Sequence, residues 1–233
     1  ACEALLLRLR NVAAEELNTD ISTIEIKDER ILVNGADANK TWKEIVLAAF
    51  LKRVNLSEHA HYATPEIHFD ATKEKGHPFA YHVYGTAVFA VTVDCLRGIY
   101  KIDSVQVMHD VGKSMNELVD RGQCEGGIVQ GIGWMTMEEV IYDKNGKLKS
   151  NALSTYKVPD IYSVPKVLDV QFHESSQKNL AILNSKAVGE PPIMYGIGAY
   201  FALRNAVKAF NPKTDIPFDA PMTPEKVLMA LYS

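Results

Sequence analysis

A twelve-residue segment near the middle of the chain contains five glycines. It has the sequence GQCEGGIVQGIG over residues 122–133 and lies inside a longer stretch, residues 117–141, that predicts a helix. Glycine destabilises a helix interior by about 1 kcal/mol per residue relative to alanine. Because glycine lacks a Cβ, it is used where another backbone or a bulky ligand approaches closely. The segment therefore predicts a helix with a contact that larger residues would not permit.

The face of this helix has two interpretations. Gln123, Gly127 and Gln130 lie at i, i+4 and i+7 and share one side. Two amides that flank a glycine form a surface able to hydrogen-bond a flat heterocycle, whereas small residues on one face also serve helix packing. Spacing alone favours packing. The segment is neither a P-loop nor a dinucleotide-binding fingerprint, since no Gly-Lys-Ser/Thr follows it and no βαβ unit surrounds it.

A second unusual segment places a carboxylate between a glycine and two prolines. Glu190 follows Gly189 and precedes Pro191 and Pro192. A residue before proline is restricted to extended geometry, and the second proline stiffens the backbone after it. Such a pre-set segment would hold a general base. The alternative is an acidic residue that compensates the dipole at a helix N-terminus, and the pattern taken alone favours it.

No metal-ligating residue is predicted. His59 and His61 lie on one side of an extended segment, but no third ligand has suitable spacing, which favours solvated loop histidines. Cys124 lies between glycine-rich residues without an adjacent base, which favours a small buried thiol.

Composition narrows the class of protein. The chain has 233 residues, of which 47% are apolar and 23% charged, as in an ordinary globular protein. The net charge of −4 argues against non-specific binding to nucleic acid or anionic membranes. No apolar run approaches the roughly 20 residues needed to span a bilayer. Three cysteines without paired spacing are typical of a reducing compartment, so we expect the cytoplasm.

Hydrophobic periodicity predicts an α+β fold of antiparallel hairpins packed with several helices. Helices and hairpins occur in blocks rather than in strict alternation. The long hairpin is predicted from alternating apolar residues on both of its strands. The predicted helices begin near residues 2, 41, 117, 193 and 224, the predicted strands cover 21–26, 30–33, 82–93, 99–109 and 167–173, and an irregular connector covers 55–80.

Three blocks of the sequence resemble the molybdenum-binding C-terminal region of the xanthine dehydrogenase and aldehyde oxidase family. The blocks are residues 109–116 followed by 122–133, residues 154–159 (STYKVP) and residues 185–192 (SKAVGEPP), and their order and spacing fit the family over essentially the whole chain. One departure is Asn116-Glu117, where the family usually has Asn-Pro. The likeness to xanthine dehydrogenase is strongest.

The resemblance implies roles for the residues described above. Glu190 would be the catalytic base, Gln123 would hydrogen-bond a molybdenum–pterin cofactor (molybdopterin or its cytosine dinucleotide), and Gly189 would let the segment approach the metal. Gly127 and Gln130 would belong to the same cofactor-binding face. The pterin, rather than a side chain of this segment, would ligate molybdenum.

The resemblance also implies a wider assembly. We expect residues 1–233 to be one incomplete cofactor-binding region of a larger subunit, inactive alone, with iron–sulfur clusters and FAD on other domains or subunits and a dimer of the complete assembly. The expected activity is hydroxylation of a purine such as hypoxanthine or xanthine. The alternatives are an aldehyde oxidoreductase of the same family and a non-catalytic assembly segment.

Overall fold

The computed structural model describes residues 1–173 and 181–233. The chain divides into two units, Ala1–Ala63 and Thr64–Ser233. The prediction that residues 1–233 act as one cofactor-binding region stays a prediction. No helix in the described ranges combines the length and apolar character that crossing a bilayer requires.

The first unit packs two helices against a three-stranded antiparallel sheet of order β1-β2-β3. Its elements are α1 (Cys2–Leu17), β1 (Ile24–Lys27), β2 (Arg30–Val33), β3 (Ala36–Thr41) and α2 (Trp42–Leu51). The apolar face of α1 and the inward residues of the strands form its core, with Leu9, Ile31 and Ile45 almost fully buried. The predicted capping box of α2 is confirmed, since the Thr41 side chain accepts from the Glu44 N–H and Glu44 reaches back to the Thr41 N–H.

The strand predicted over residues 21–26 begins later than expected. The Asp20 side chain accepts a hydrogen bond from the Ser22 N–H and caps a short 3-10 turn, Ile21–Thr23. This turn displaces the start of β1 to Ile24. The sequence also missed β3, because its residues are mostly polar and solvent-facing and show no apolar alternation.

The second unit contains the glycine-rich helix and a mixed sheet. Its helices and strands are β4 (His68–Asp70), β5 (Lys75–His77), β6 (Gly85–Val93), β7 (Tyr100–His109), α3 (Glu117–Thr136), β8 (Val167–Phe172), α4 (Ile197–Phe210) and α5 (Pro224–Tyr232). Three 3-10 turns, Ile161–Ser163, Ile182–Asn184 and Pro191–Gly196, lie among them. The strands β4 and β5 form a short hairpin inside the region predicted to be irregular.

The predicted long hairpin is confirmed, and the fold is an α+β mix as expected. β6 pairs with β7 in antiparallel register from Gly85 opposite His109 to Val93 opposite Tyr100. β8 then adds to the other edge of β7 in parallel orientation, giving the order β6-β7-β8. A parallel neighbour requires a long crossover, and the connection that contains α3 supplies it.

α3 ends at Thr136, five residues before the predicted end. Long-range hydrogen bonds occupy the carbonyl groups that a longer helix would use. The Met222 N–H donates to the Met135 carbonyl at 2.8 Å, and the Tyr100 hydroxyl lies between the Met222 carbonyl at 2.6 Å and the Thr136 carbonyl at 3.2 Å. The helix therefore stops where tertiary partners replace its own N–H groups.

The core of the second unit lies between the sheet, α3 and α4. Its fully buried members come from all three layers, and α5 adds two more. These residues are Val105 and Val170 of the sheet, Ile128 and Ile132 of α3, Leu203 and Val207 of α4, and Val227 and Leu231 of α5.

The glycines of α3 have different surroundings. A Cβ on Gly131 would lie 2.1 Å from the Ile193 carbonyl oxygen and 2.9 Å from the Gly196 Cα, so the helix and the 191–196 turn meet backbone to backbone. A Cβ on Gly126 would meet no atom of the described residues within 4 Å. The close contact that the glycine-rich segment predicts is therefore present at Gly131.

We expect opposite effects from the two alanine substitutions. Gly131→Ala should destabilise the protein by about 1–3 kcal/mol because backbone atoms would have to move. Gly126→Ala should stabilise it by about 0.5–1 kcal/mol because alanine has the better helix propensity. Urea unfolding of both variants measures the difference, and equal effects would contradict the close contact at Gly131.

Candidate active site

Two of the motif blocks lie side by side at the end of β7. The Lys186 N–H donates to the Val111 carbonyl and the Lys113 N–H to the Asn184 carbonyl, each at 2.9 Å. Gly112 forms an antiparallel bridge with Ser185 at a φ of 64°. A Cβ on Gly112 would lie 2.3 Å from the Asn184 carbonyl oxygen, so glycine is required there. The structure thus brings together residues that are more than 70 positions apart in sequence.

A buried ion pair joins these two segments. The Lys186 ammonium contacts the Asp110 carboxylate, and each side chain is only 8% exposed. The Gly112 N–H donates a second hydrogen bond to Asp110 at 2.9 Å. Burial alone would raise the pKa of Asp110, but the hydrogen bonds and the charge of Lys186 outweigh it and hold that pKa below its ordinary value.

A second buried contact lies next to the first. The Tyr195 hydroxyl is 2.6 Å from His109 Nδ1, and the two rings meet edge to face. Burial lowers the pKa of His109, although the negative charge of Asp110 acts to raise it. Burial raises the pKa of Tyr195 to about 12. The lowered pKa favours the neutral imidazole, in which the tautomer sets whether the Tyr195 hydroxyl or Nδ1–H is the donor of this hydrogen bond. Gly85 makes room for this bond, since a Cβ there would lie 1.7 Å from the Tyr195 oxygen.

Glu190 lies at the start of the 191–196 turn, where Pro191 begins the turn and α4 continues it. The Glu190 carbonyl accepts from the Ile193 N–H at 3.1 Å. Its side chain is exposed, and it makes no hydrogen bond or ion pair with any residue in the described ranges. The extended geometry predicted for the residue before proline is wrong, because Glu190 has helical φ and ψ of −92° and −42° and joins the turn, while its carboxylate stays available.

Gln123 and Gly189 lie next to each other beside Glu190. Gln123 Oε1 is 3.5 Å from the position that a Cβ on Gly189 would take, and both residues are exposed. Gly127 is buried one turn further along α3, where a Cβ would lie 3.2 Å from the Gly189 carbonyl oxygen. Gly127 therefore supports the Gly189 backbone directly.

Gln130 lies apart from this group. It is exposed and lines a cavity of about 570 Å³ together with Gly122, Gly126, Glu138 and Pro159. The predicted face thus divides, with Gln123 and Gly127 toward the Glu190 segment and Gln130 toward the neighbouring cavity.

The predictions for Cys124 and for the two loop histidines agree with the structure. Cys124 is fully buried, and burial raises the pKa of its thiol to about 11, as expected for an inert thiol. His59 and His61 are exposed. No group of three or more potential ligands from His, Cys, Asp and Glu lies together in the parts of the chain that the structure describes.

Four residues beside the site were not singled out from the sequence. They are His109, Asp110, Lys186 and Tyr195. The available signal was the pair His109-Asp110 directly after an apolar strand, where titratable side chains need buried partners.

Comparison with known proteins decides the family. The model of a protein family described as the molybdopterin cofactor-binding domain matches residues 1–165. This chain belongs to that family. Among curated relatives, xanthine dehydrogenase of Oryza sativa subsp. japonica is 37% identical over 82% of this chain and 15% of that protein. Aldehyde oxidase 1 of Oryctolagus cuniculus is 39% identical over 82% of this chain and 14% of that protein.

The solved structures agree on the fold. Aldehyde oxidoreductase from Desulfovibrio gigas has a TM-score of 0.57 and 31% identity over 71% of this chain and 17% of that chain. Reconstituted CO dehydrogenase from Oligotropha carboxidovorans has a TM-score of 0.67 over 99% of this chain and 27% of that chain, at 19% identity, and shows the fold alone. The chain spans about 15% of the length of the first curated relative. The expected family and its molybdopterin cofactor are confirmed.

The residues beside Glu190 fit such a cofactor. Among the described residues other than its chain neighbours, Gln123 Oε1 is the one atom within 4 Å of a Cβ at Gly189, at 3.5 Å, so the space beside the exposed amide is not filled by close contacts. A polar cofactor could therefore approach the Gly189 backbone and the Gln123 amide together.

The buried ion pair predicts an acid-dependent loss of stability. Because the folded-state pKa of Asp110 lies below its ordinary value, its contribution is complete above the unfolded pKa of about 3.9 and is lost as the pH falls through the folded pKa. Asp110→Asn should be clearly less stable than wild type at pH 7, and the difference should shrink below about pH 4. Urea unfolding between pH 2.5 and 7 measures it, and a constant difference would contradict the assignment.

Proposed function

We propose that this chain is the part of a molybdenum hydroxylase that supplies the catalytic base and part of the molybdopterin site. The observation that carries the proposal is the Glu190 carboxylate, exposed and unpaired among the described residues, on a segment whose backbone is held beside Gln123. When bound, the molybdenum–pterin cofactor supplies oxygen insertion from water and takes up two electrons from the substrate.

The chain's own residues have distinct roles in this proposal. Gln123 donates a hydrogen bond to the cofactor from α3, and Gly189 leaves the approach to it open. Glu190 accepts the proton whose removal generates the nucleophile. Gly127 lets α3 pack closely against the Gly189 backbone. Gln130 adds a polar side chain to the lining of the adjacent cavity.

The first proposed substrate class is a purine such as hypoxanthine or xanthine. The 37% identity with the rice xanthine dehydrogenase supports it. The second is an aldehyde, which the rabbit aldehyde oxidase 1 and the Desulfovibrio gigas aldehyde oxidoreductase favour at 39% and 31% identity. The same proposal includes the rest of the subunit, iron–sulfur and FAD domains or subunits, a dimer of the complete assembly and a cytoplasmic location. The three free cysteines are consistent with that compartment.

We expect Gln123→Ala to lower cofactor retention more than turnover per bound cofactor. Loss of one hydrogen bond to a strongly polar ligand costs about 1.5–3 kcal/mol. The measurement is the molybdenum and pterin content of the assembled enzyme. Gln106→Ala is the matched control, because it removes another exposed amide, on β7 and away from the site. Unchanged molybdenum content with a collapse of turnover per molybdenum would assign Gln123 another role.

We expect Glu190→Gln to abolish most substrate oxidation at nearly normal molybdenum content. The amide keeps the shape of the side chain but cannot accept the proton, and general-base catalysis contributes about 10²–10⁴-fold. The measurement is rapid-mixing reduction of the assembled enzyme by hypoxanthine, xanthine and an aromatic aldehyde, normalised to molybdenum.

A matched control tests whether the position matters. Glu225 is an exposed carboxylate that comes directly after Pro224 in the first turn of α5, so Glu225→Gln makes the same change at another proline-led helix start. It should reduce at the wild-type rate. A Glu190→Gln enzyme that reduces within a few-fold of wild type would refute the base assignment. Absence of molybdenum and pterin from a complete, matured assembly would favour the non-catalytic alternative.

A further inference from the structure

Two consecutive buried residues at the end of β7 have no role in the function proposed so far. Asp110 pairs with Lys186, four residues before Glu190. His109 bonds to Tyr195, five residues after Glu190. His109, the last residue of β7, and Asp110, which follows it, thus contact residues on either side of Glu190.

We propose that His109 and Asp110 are positioning residues that fix the Glu190 carboxylate by holding the segment between Lys186 and Tyr195. This inference rests on the proposed role of Glu190 as the base. We call the two contacts, Asp110–Lys186 and His109–Tyr195, the clamp.

The need for a clamp arises from the surroundings of Glu190. The side chains of Glu190 and Ala187 are exposed and Gly189 has no side chain, whereas Val188 packs against the core of the second unit. The carboxylate has no side-chain partner in the described ranges, so its position follows that of the backbone. A reacting group displaced by about 1 Å can lose on the order of 10²-fold in rate. Contacts on both sides of Glu190, one to the last residue of β7 and one to the residue after it, restrict that displacement.

The His109–Tyr195 contact has a site built for it. A Cβ on Gly85 would occupy nearly the same place as the Tyr195 oxygen and would lie 2.8 Å from the Met108 carbonyl oxygen. The imidazole is fully buried and packs edge to face on the tyrosine ring. Strand β6, strand β7 and the 191–196 turn thus all contribute to one hydroxyl–imidazole bond.

Tyr195→Phe tests the clamp by removing only the hydroxyl group. In the assembled holoenzyme we expect the rate of reduction per molybdenum to fall by about 10–100-fold. The molybdenum content and the KM should stay near the wild-type values, because the cofactor-binding amide is untouched.

Tyr200→Phe is the matched control. Tyr200 is 4% exposed on α4, and its hydroxyl donates to the Pro217 carbonyl, so the variant also removes a buried tyrosine hydrogen bond. It should lower thermal stability without changing the rate of reduction. Equal losses of rate in the two variants would overturn the positioning role.

A double-mutant cycle separates positioning from general stability. If the clamp acts through Glu190, Tyr195→Phe should cause no further loss of rate in a Glu190→Gln background. Losses that multiply would overturn the proposal, because the hydroxyl would then act independently of the carboxylate.

Amide exchange makes the failure of the clamp distinguishable from the failure of the base. In the same holoenzyme, Tyr195→Phe should speed exchange of the amides from Ala187 to Glu190, and Tyr200→Phe should not. If Glu190→Gln reduces normally, the proposed function fails whatever the exchange shows. If Glu190→Gln is inactive but Tyr195→Phe has wild-type exchange and rate, only the clamp fails.

The ion pair gives an independent test. Lys186→Met leaves Asp110 buried without its partner and should slow reduction per molybdenum and speed exchange of the same amides. Asp110→Asn combined with Lys186→Gln restores a neutral hydrogen-bonded pair and should recover most of the rate even if Lys186→Met folds poorly. A double variant that folds and binds molybdenum but is as slow as Lys186→Met would contradict the expected recovery. A Lys186→Met holoenzyme that reduces at the wild-type rate would overturn the positioning role of the ion pair.

Discussion

The contact between the backbones of Gly131 and Gly196 determines where the Glu190 segment can lie. A Cβ on Gly196 would be 2.2 Å from the Gly131 carbonyl carbon, and one on Gly131 would be 2.1 Å from the Ile193 carbonyl oxygen. Any larger residue at either position would push the 191–196 turn away from α3. Gly127 continues the contact to the Gly189 carbonyl. The glycines therefore weaken the helix locally but allow the approach that puts Glu190 beside Gln123.

The ion pair between Asp110 and Lys186 determines the register of the same segment. Backbone hydrogen bonds from Lys186 to Val111 and from Lys113 to Asn184 would permit neighbouring registers, because backbone groups repeat along a chain. A slip by one residue would turn Lys186 away from Asp110 and leave a buried carboxylate unpaired. Breaking a buried pair costs about 3–5 kcal/mol, which excludes the slipped arrangement.

Local pattern predicted the elements whose periodicity is complete in the sequence. Alternation identified the β6–β7 hairpin, and Thr41 and Glu44 identified the start of α2. The end of α3 was wrong because the bonds that terminate it come from Tyr100 and Met222, both distant in sequence. For the same reason the bond between His109 and Tyr195 could not be predicted. The sequence located the glycine-rich face but could not assign its role, because residue spacing does not show whether another backbone or a ligand packs against it.

The environment of the two carboxylates near the site explains why only one is suited to accept a proton. Asp110 already accepts hydrogen bonds from Lys186 and Gly112, and these lower its pKa. Its negative charge therefore stabilises the fold through these contacts. Glu190 has its backbone fixed by the adjoining 191–196 turn and its side chain exposed without a partner in the described ranges. A general base needs a fixed position and a free oxygen, and in the mechanism we propose the buried carboxylate provides the position while the exposed one keeps the oxygen.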